Sequence, residues 1–305
     1  MTRLFATVFP GQGSQRVGMF GPLARDGEVQ RLLEAAESLT GLPLREIAAD
    51  GPDTALADTR VAQPLLYIAD VAWSAVVLED AVPAYVAGHS LGELVALAVA
   101  GAYSVDDGLR LVCERGRLMS EAAARTPGGM AAVLGLDAEV VGEALAPLAG
   151  VWAANDNAPG QIVISGTHEG IETATRVLSE AGARKIIPLA VAGPFHCPLM
   201  AEAALAFAEV LGAIPFADAR IPVVQNAEPE PTLSADVLRT RLLAQITAPV
   251  RWTETMSVLR DNGVTTLIEC GPGAVLTGLA RKTEGMDALS VETAGLGALR
   301  EVLAS

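Results

Sequence analysis

Short apolar runs alternate with amphipathic stretches along the first half of the chain, an alternation typical of α/β proteins. Residues 4–9 and 82–87 are short apolar runs that end at Pro-Gly or Gly, and each predicts a strand. Helical spacing of apolar residues, or a longer and nearly uncharged run, predicts helices at residues 29–39, 63–77, 91–100 and 105–124. A glycine-rich loop, residues 10–15, follows the first strand.

A different order of elements follows the helix stop at residues 126–129. The pattern predicts strand 130–136, helix 138–148, strands 151–154 and 161–165, helix 170–181 and strand 185–189. This β-α-β-β-α-β order is ferredoxin-like. The α/β pattern then returns, with a helix after His196, strand 221–224, helix 235–245 and strand 265–269. We therefore predict a small ferredoxin-like domain (127–193) inserted into a large α/β-hydrolase-like domain with a parallel sheet (1–126 and 194–305).

Composition places the chain among compact globular proteins, since 51% of its 305 residues are hydrophobic and 19% are charged. No run of about eighteen uncharged apolar residues occurs, so no membrane span is expected. The first apolar run is too short for a signal peptide. Cys113, Cys197 and Cys270 form no C-x-x-C pair, so neither a disulfide framework nor a metal site is predicted. We expect a monomeric, cytoplasmic protein.

Acidic residues outnumber basic ones by 36 to 21, which gives a formal net charge of −15. Because contacts to phosphates need clustered Lys and Arg, this balance argues against a nucleic-acid partner. An anionic partner would need a local basic patch, for which the candidates are Arg115, Arg117, Arg184, Lys185 and Arg251. Scattered solvated charges are the alternative for each of these except Arg115.

The segment Gly88-His89-Ser90-Leu91-Gly92 matches G-x-S-x-G between a predicted strand and a predicted helix, the context of a nucleophile elbow. Such a turn strains the backbone at the serine, and the flanking glycines leave room for it. Ser90 would stand at a helix N-terminus, where free N–H groups favour developing negative charge. We predict that Ser90 is a nucleophile.

A serine hydroxyl needs a general base to become a good nucleophile. His89 lies inside the motif, where we expect it to support the turn, and His168 is expected in a solvated loop. His196, at the return to the large domain, is the remaining histidine and the predicted base. Cys197 is a weaker candidate nucleophile, because sequence neighbours rarely face each other.

Several separated motifs resemble those of malonyl-CoA:acyl carrier protein transacylases and occur in that family's order. They are FPGQGSQ (9–15), GHSLGE (88–93), RG (115–116), NDNAPGQ (155–161), FH (195–196) and QITAPVRW (245–252). The resemblance extends from residue 4 to about residue 282. It implies transfer of a malonyl group between coenzyme A and an acyl carrier protein, with no metal or redox cofactor.

The resemblance also implies a role for each matching residue. Ser90 would be the nucleophile and His196 the base, with the backbone N–H groups of Leu91 and Gln12 as the oxyanion hole. A backbone carbonyl near Gln245, which is grouped with the substrate-binding residues, would orient the histidine in place of a carboxylate. This would account for the lack of an evident acid to complete a Ser-His-Asp triad.

Arg115 is expected to bind the free carboxylate of malonyl, because a guanidinium can hold a carboxylate through two parallel hydrogen bonds. Its neighbours in sequence are apolar, so this arginine needs an anionic partner. Met119 and Met130 match positions that line the family's acyl pocket. Phe195 stands where fatty-acid-type members usually carry serine. A phenylalanine at this position is similar to what malonyl-specific polyketide acyltransferases carry there, and in those enzymes the bulky ring is associated with excluding branched acyl groups.

Three other functions stay open on sequence alone. The same chemistry could serve a polyketide synthase or malonate decarboxylase, whose transacylase subunit is similar at residues 58–64. A thioesterase or esterase would use water as the acceptor, against which the missing triad acid and Arg115 argue. A non-catalytic scaffold for a carrier protein would not need Ser90, His196, Gln12 and Arg115 together.

Overall fold

The computed structural model describes residues 4–304. The strands are β1 (Leu4–Phe9), β2 (Tyr85–Gly88), β3 (Gly128–Leu134), β4 (Val151–Ala158), β5 (Gln161–Thr167), β6 (Lys185–Pro188), β7 (Val223–Val224), β8 (Val250–Arg251), β9 (Val264–Glu269) and β10 (Asp287–Ser290). The helices are α1 (Gly27–Thr40), α2 (Leu44–Asp50), α3 (Asp53–Leu56), α4 (Thr59–Asp80), α5 (Leu91–Ala100), α6 (Val105–Arg125), α7 (Ala138–Leu145), α8 (His168–Glu180), α9 (Ala201–Gly212), α10 (Ala235–Ala244), α11 (Trp252–Asp261), α12 (Val275–Ala280) and α13 (Val291–Ala304).

The larger sheet has the strand order β10-β9-β1-β2-β7, and every pairing in it is parallel. Parallel strands need crossover connections, so helices cover both faces and most residues of the central strands are buried. The carboxyl ends of β1, β2 and β9 lie at one edge of the sheet. The loops that follow these strands therefore meet there, which is where open α/β sheets place their ligand sites.

Most elements of this sheet agree with the sequence prediction. The strands predicted at residues 4–9 and 265–269 are β1 and β9, and the strand predicted at 82–87 is the shorter β2. The helices α2, α3, α11, α12 and α13 and the strands β8 and β10 were not predicted. Several of these are only two to seven residues long, too short to show a helical or strand periodicity.

Helix α4 is long and apolar enough to cross a membrane by length and composition alone. However, 72% of its most apolar window is buried inside the protein, where it packs against α1, α5 and α6. The Asp58 side chain accepts a hydrogen bond from the Arg60 backbone N–H and caps the N-terminus of the helix. These are the features of a core helix in a folded domain.

The second sheet has the order β6-β3-β5-β4-β8 and is antiparallel except between β4 and β8. Side chains alternate across it, as strand geometry requires. Ala131 and Val133 pack with α7 and α8, whereas Met130 and Ala132 join the core beneath the parallel sheet. The small sheet therefore presents one face to its own helices and the other to the rest of the protein.

Several details of this sheet differ from the prediction, among them the end of β4, which extends to Ala158 instead of residue 154. β3 begins at Gly128, two residues early, because a glycine there lets the strand approach the Gly166 carbonyl of β5 more closely than a side chain would allow. Also, the fifth strand, β8, comes from outside residues 127–193 and pairs with β4 at Asn155 and Asp156. The sheet therefore extends beyond the segment predicted to form it.

Candidate active site

Ser90 lies in a sharp turn between β2 and α5. Its backbone is in a strained conformation, with φ 53° and ψ −107°. A Cβ on Gly88 would overlap the backbone of Gly92, and a Cβ on Gly92 would overlap the Phe9 carbonyl of β1. The glycines of the motif are therefore required by close packing, and the turn holds the serine at the carboxyl edge of the sheet.

The Ser90 side chain faces His196. Ser90 Oγ is 2.7 Å from His196 Nε2, and His196 Nδ1 is 3.0 Å from the backbone carbonyl oxygen of Gln245. A carbonyl can only accept, so Nδ1 carries the hydrogen and Nε2 is free to accept from the serine hydroxyl. Burial, together with the Arg115 charge, lowers the pKa of His196 to about 3. The imidazole is therefore neutral near neutral pH, and its Nε2 lone pair faces the serine hydroxyl.

Arg115 lies on α6 with only 1% of its surface exposed. Its Nη2 donates to the Gln245 side-chain oxygen at 2.9 Å and lies 3.4 Å from Ser90 Oγ, while its Nε is buried without a partner. Within residues 4–304, no carboxylate forms an ion pair with it. Burial lowers the pKa of Arg115 to about 10, against the opposing effect of Glu93. A cation with unused donors therefore lies beside the serine.

A cavity of about 190 Å³ connects these groups. Of the residues predicted for the site, it is lined by Gln12, Ser90, Leu91, Arg115, Met119, Met130, Phe195 and His196. Gln245 was grouped with the substrate-binding residues, but it is fully buried behind Ser90 and Arg115 and is not part of the lining. Its side-chain Nε2 donates to the Ser90 carbonyl at 2.9 Å. Gln245 therefore contacts the reactive groups and not the cavity.

Two backbone N–H groups near Ser90 differ in availability. The N–H of Ser90 donates to Asn226 Oδ1 at 2.7 Å and is occupied. The N–H of Leu91 belongs to the first residue of α5 and has no acceptor within the helix. Gln12, in the loop after β1, lines the same cavity, and its side chain reaches Ala57 O and Thr59 Oγ1 at 3.4 Å each. Leu91 is thus positioned as a donor, whereas Ser90 is not.

The other histidine and cysteine candidates from the sequence are placed differently, since His89 lines the cavity and His168 and Cys197 do not. His89 Nε2 is 2.8 Å from Asn157 Oδ1, which fits the support expected of it. His168 was expected in a loop, but it is the exposed first residue of α8. Cys197 is buried, its thiol donates to the Pro194 carbonyl at 3.1 Å, and burial raises its pKa. Neither His168 nor Cys197 lines the cavity.

The candidate basic residues do not form a free patch. Arg117 is paired with Glu114 and Glu121, and Arg251 is paired with Glu254. Arg184 and Lys185 are exposed at the start of β6. Among the residues that the structure describes, no group of three or more His, Cys, Asp or Glu side chains is arranged to hold a metal ion.

A layer of buried polar residues lies behind the site and was not predicted from the sequence. Glu93 is fully buried on α5 and accepts hydrogen bonds from Gln225 Nε2 and the Asn226 backbone N–H. Burial raises the pKa of Glu93 to about 7. Gln63 on α4 lines the cavity, with Nε2 3.6 Å from Met119 Sδ. Glu93 could have been identified from the sequence as the single acidic residue of an otherwise apolar predicted helix. Asn226 could have been identified as a polar residue just after a predicted strand of the parallel sheet.

Known proteins resemble this chain over most of its length. Residues 6–298 match the family described as acyl transferase domain. The malonyl CoA-acyl carrier protein transacylase of Synechocystis sp. is 41% identical over 279 residues, which cover 91% of this chain and 93% of that protein. The malonyl-transacylase PlMCAT, solved with the type II polyketide synthase acyl carrier protein AntF, superposes with a TM-score of 0.92 at 40% identity and 99% coverage of both chains. The polyketide biosynthesis protein ThaF of Burkholderia thailandensis is 43% identical over 284 residues, which cover 92% of this chain and 24% of that protein.

Proposed function

Because this chain belongs to the acyl transferase domain family, we propose that it transfers a malonyl group from malonyl-CoA to the phosphopantetheine thiol of an acyl carrier protein. Relatives that are about 40% identical over nine-tenths of the chain carry the name malonyl CoA-acyl carrier protein transacylase. One observation carries the proposal. The Ser90–His196 pair, at 2.7 Å, opens into the same cavity as the buried Arg115, which has no carboxylate partner among residues 4–304.

The first half of the reaction loads the serine. His196 Nε2 takes the proton from Ser90 Oγ as that oxygen attacks the thioester carbonyl. The resulting oxyanion accepts hydrogen bonds from the backbone N–H groups of Leu91 and Gln12. The C–S bond then breaks, and the coenzyme A sulfur leaves with the proton from His196. A malonyl ester on Ser90 remains.

The second half repeats these steps in reverse with a different thiol. The phosphopantetheine thiol of the carrier protein gives its proton to His196 and attacks the malonyl ester. The C–O bond to Ser90 breaks, and the serine oxygen takes back the proton. This is a ping-pong cycle in which one thioester replaces another. Every step uses side chains, backbone amides and the two thiols, so the proposal assigns no metal or redox cofactor.

Arg115 supplies the selectivity for a dicarboxylic acyl group. Its unpartnered Nε and its partly used guanidinium fork can donate to the free carboxylate of malonyl. Because the site is buried, leaving that cation without an anion is unfavourable, and an acetyl group offers none. The Arg115 charge also helps to keep His196 neutral, since a nearby cation lowers the histidine pKa.

We propose a matching division of the chain. Residues 1–126 and 194–305 form a large α/β-hydrolase-like domain, and residues 127–193 form a ferredoxin-like domain. The order β6-β3-β5-β4 and the two helices on one face support the second assignment. Because the nucleophile, the base and Arg115 all line one cavity of a single chain, we expect the protein to act as a monomer. Three buried free cysteines fit a reducing cytoplasm.

A mass measurement tests the reaction. The intact protein is incubated briefly with malonyl-CoA, and then with an acyl carrier protein. We expect one malonyl adduct on the wild type, none on Ser90→Ala, and loss of the adduct when the holo carrier is added. Ser165→Ala, which changes another buried serine outside the cavity, is the matched control and should load normally. An adduct that persists in Ser90→Ala would refute the assignment.

A second candidate function differs only in the pathway. The carrier bound to PlMCAT belongs to a type II polyketide synthase, and ThaF is a polyketide biosynthesis protein. Phe195 lines the cavity, and a phenylalanine at this position is similar to what malonyl-specific polyketide acyltransferases carry there. Transfer rates to a fatty-acid carrier and to a polyketide carrier, measured side by side, separate the two. The faster acceptor identifies the pathway.

A further inference from the structure

The Asn226 side chain forms hydrogen bonds to the main chain on both sides of His89, in the turn that holds the nucleophile Ser90. Asn226 follows β7, the strand next to β2, and is fully buried. Its Oδ1 accepts from the Ser90 backbone N–H at 2.7 Å, and its Nδ2 donates to the Gly88 carbonyl at 2.6 Å. The Asn226 side-chain amide therefore forms hydrogen bonds to the Gly88 carbonyl and the Ser90 N–H, on either side of His89. Ser90 is the residue whose backbone is strained.

Asn226 is itself held in place by two other elements. Its backbone N–H donates to Glu93 Oε2 at 2.7 Å, and its carbonyl accepts from the Arg251 backbone N–H at 3.1 Å. Glu93 lies on α5, one turn after Ser90, and Arg251 lies on β8 of the small sheet. Since the main chain of Asn226 is fixed at both ends, its side chain presents a rigid donor and acceptor to the turn.

A strained backbone persists only where its surroundings over-determine it. Ser90 has φ 53°, and its Oγ reaches His196 Nε2 at 2.7 Å only while that turn is held. We propose that Asn226 is a positioning residue for the nucleophile, which sets the Ser90–His196 geometry and leaves substrate binding unaffected. The inference rests on the proposed function of Ser90.

The contacts of Asn226 predict which kinetic constant responds. Asn226 does not line the cavity, and its hydrogen bonds go to Gly88, Ser90, Glu93 and Arg251, none of which is the malonyl-binding group. Loosening the turn should therefore slow the attack of Ser90, which sets kcat. The affinity for malonyl-CoA, which depends on Arg115 and the cavity walls, should change little.

Two variants and a control test this inference. Asn226→Ala removes both hydrogen bonds, whereas Asn226→Asp keeps the acceptor for the Ser90 N–H and loses the donor to Gly88. Asn262→Ala makes the same change at an exposed residue of the turn after α11. For each full-length variant, kcat and KM for malonyl-CoA, the rate of adduct formation by intact mass, and Tm are measured.

The expected order of kcat is wild type, then Asn226→Asp, then Asn226→Ala. A displacement of the nucleophile by about 1 Å can cost roughly 10²-fold in rate, and this is the loss expected for Asn226→Ala. KM should stay within about threefold, and Asn262→Ala should match the wild type. A raised KM with unchanged kcat, or equal rates for Asn226→Asp and Asn226→Ala, would overturn the proposal.

The design separates this inference from the proposed function. If wild-type protein forms no malonyl adduct, the proposed function fails. If wild type and Asn226→Ala load at the same rate, only the positioning role fails. Should Asn226→Ala not fold, the comparison of Asn226→Asp with wild type decides, since an unchanged kcat there refutes the role and a reduced kcat at constant KM supports it.

Discussion

The two walls of the cavity come from different parts of the chain and differ in character. The wall beside the parallel sheet carries Ser90, Arg115 and Gln12, and is backed by buried polar groups. The opposite wall carries Met130 and Val163 of the small sheet, with Leu189, Val191 and Phe195 from the segment after β6. The small sheet also contributes Asn155, Asn157 and Gln161, and the segment after β6 contributes the base, His196. The nucleophile and Arg115 therefore come from the parallel-sheet side, whereas the other side combines apolar residues with the base.

The difference follows from how each sheet is built. Parallel strands end at a common edge, where helix N-termini and loop N–H groups face one point and can stabilise negative charge. The small sheet has alternating side chains, and its cavity-lining residues Met130 and Val163 are apolar because they also pack in the main core. We therefore expect changes at Ser90 and its supporting turn to alter the rate, and changes at the apolar residues of the small-sheet side to alter the size of the acyl group accepted.

The largest effect is expected at His196. His196→Ala removes the base that takes the Ser90 proton, and we expect kcat to fall about 10⁴-fold or more with little change in Tm. Steady-state transfer of malonyl to the carrier protein measures it. His168→Ala, at the exposed start of α8, is the matched histidine control and should keep full activity. A tenth or more of the wild-type activity in His196→Ala would contradict the assignment of the base.

Arg115 tests whether the polar wall also selects the acyl group. In Arg115→Ala we expect the ratio of kcat/KM for malonyl-CoA to that for acetyl-CoA to fall by about 10²-fold, because a buried charge pair loses one partner. Arg115→Lys should be intermediate, since it keeps the charge and loses the fork. Arg117→Ala, exposed on the same helix, is the control. An equal loss for both substrates would show that Arg115 has no role in selection.

Phe195 tests the apolar wall. Phe195→Ala enlarges the cavity without touching Ser90, so we expect the ratio of methylmalonyl-CoA to malonyl-CoA turnover to rise roughly 10-fold, the value of about one methyl group in an apolar pocket. Turnover of malonyl-CoA should fall by less than that ratio rises. Phe216→Ala, a partly buried phenylalanine away from this cavity, should leave the ratio unchanged. A loss of kcat for both substrates with no change in ratio would place Phe195 with the reactive wall instead.

The sequence predicted the polar wall better than the layer behind it. Ser90 and its glycines lie in one five-residue motif, and Arg115 and Met119 are one turn apart on a single helix, so local spacing was enough to find them. Asn226 lies 136 residues after Ser90, and no local period relates the two. Such a contact is fixed only when β7 pairs with β2.

Dependence on residues far apart in sequence also explains why strand β8 of the small sheet was not predicted. Strand β8 is two residues long and takes its conformation from pairing with β4, about a hundred residues earlier in the chain. The predicted β-α-β-β-α-β pattern depended on runs of four or more residues, which do show a period of two. Shorter segments show no such period in the sequence, so only their tertiary contacts define them as strands.

Asp70 tests whether every buried polar group near the parallel sheet serves catalysis. It lies on α4, fully buried, with both carboxyl oxygens lacking a hydrogen-bond partner, and close to Gly271 and Pro10. It does not line the cavity. Burial raises the pKa of Asp70 well above its usual value, and the Glu269 charge adds to this. We therefore expect Asp70 to affect stability and leave kcat unchanged.

The direction in which the free energy of unfolding changes with pH follows from proton binding by Asp70. Above about pH 4 the unfolded chain has lost the Asp70 proton while the folded protein keeps it, so the free energy of unfolding falls as pH rises toward the folded pKa. Asp70→Asn binds no such proton, and its curve should be shallower by up to about 1.4 kcal/mol per pH unit. Denaturant unfolding at pH 5, 6, 7 and 8 measures this, with Asp50→Asn at the exposed end of α2 as the control. Parallel curves for wild type and Asp70→Asn would mean that Asp70 is ionised in the fold, and a reduced kcat would extend the reactive wall to the base of the Gln12 loop.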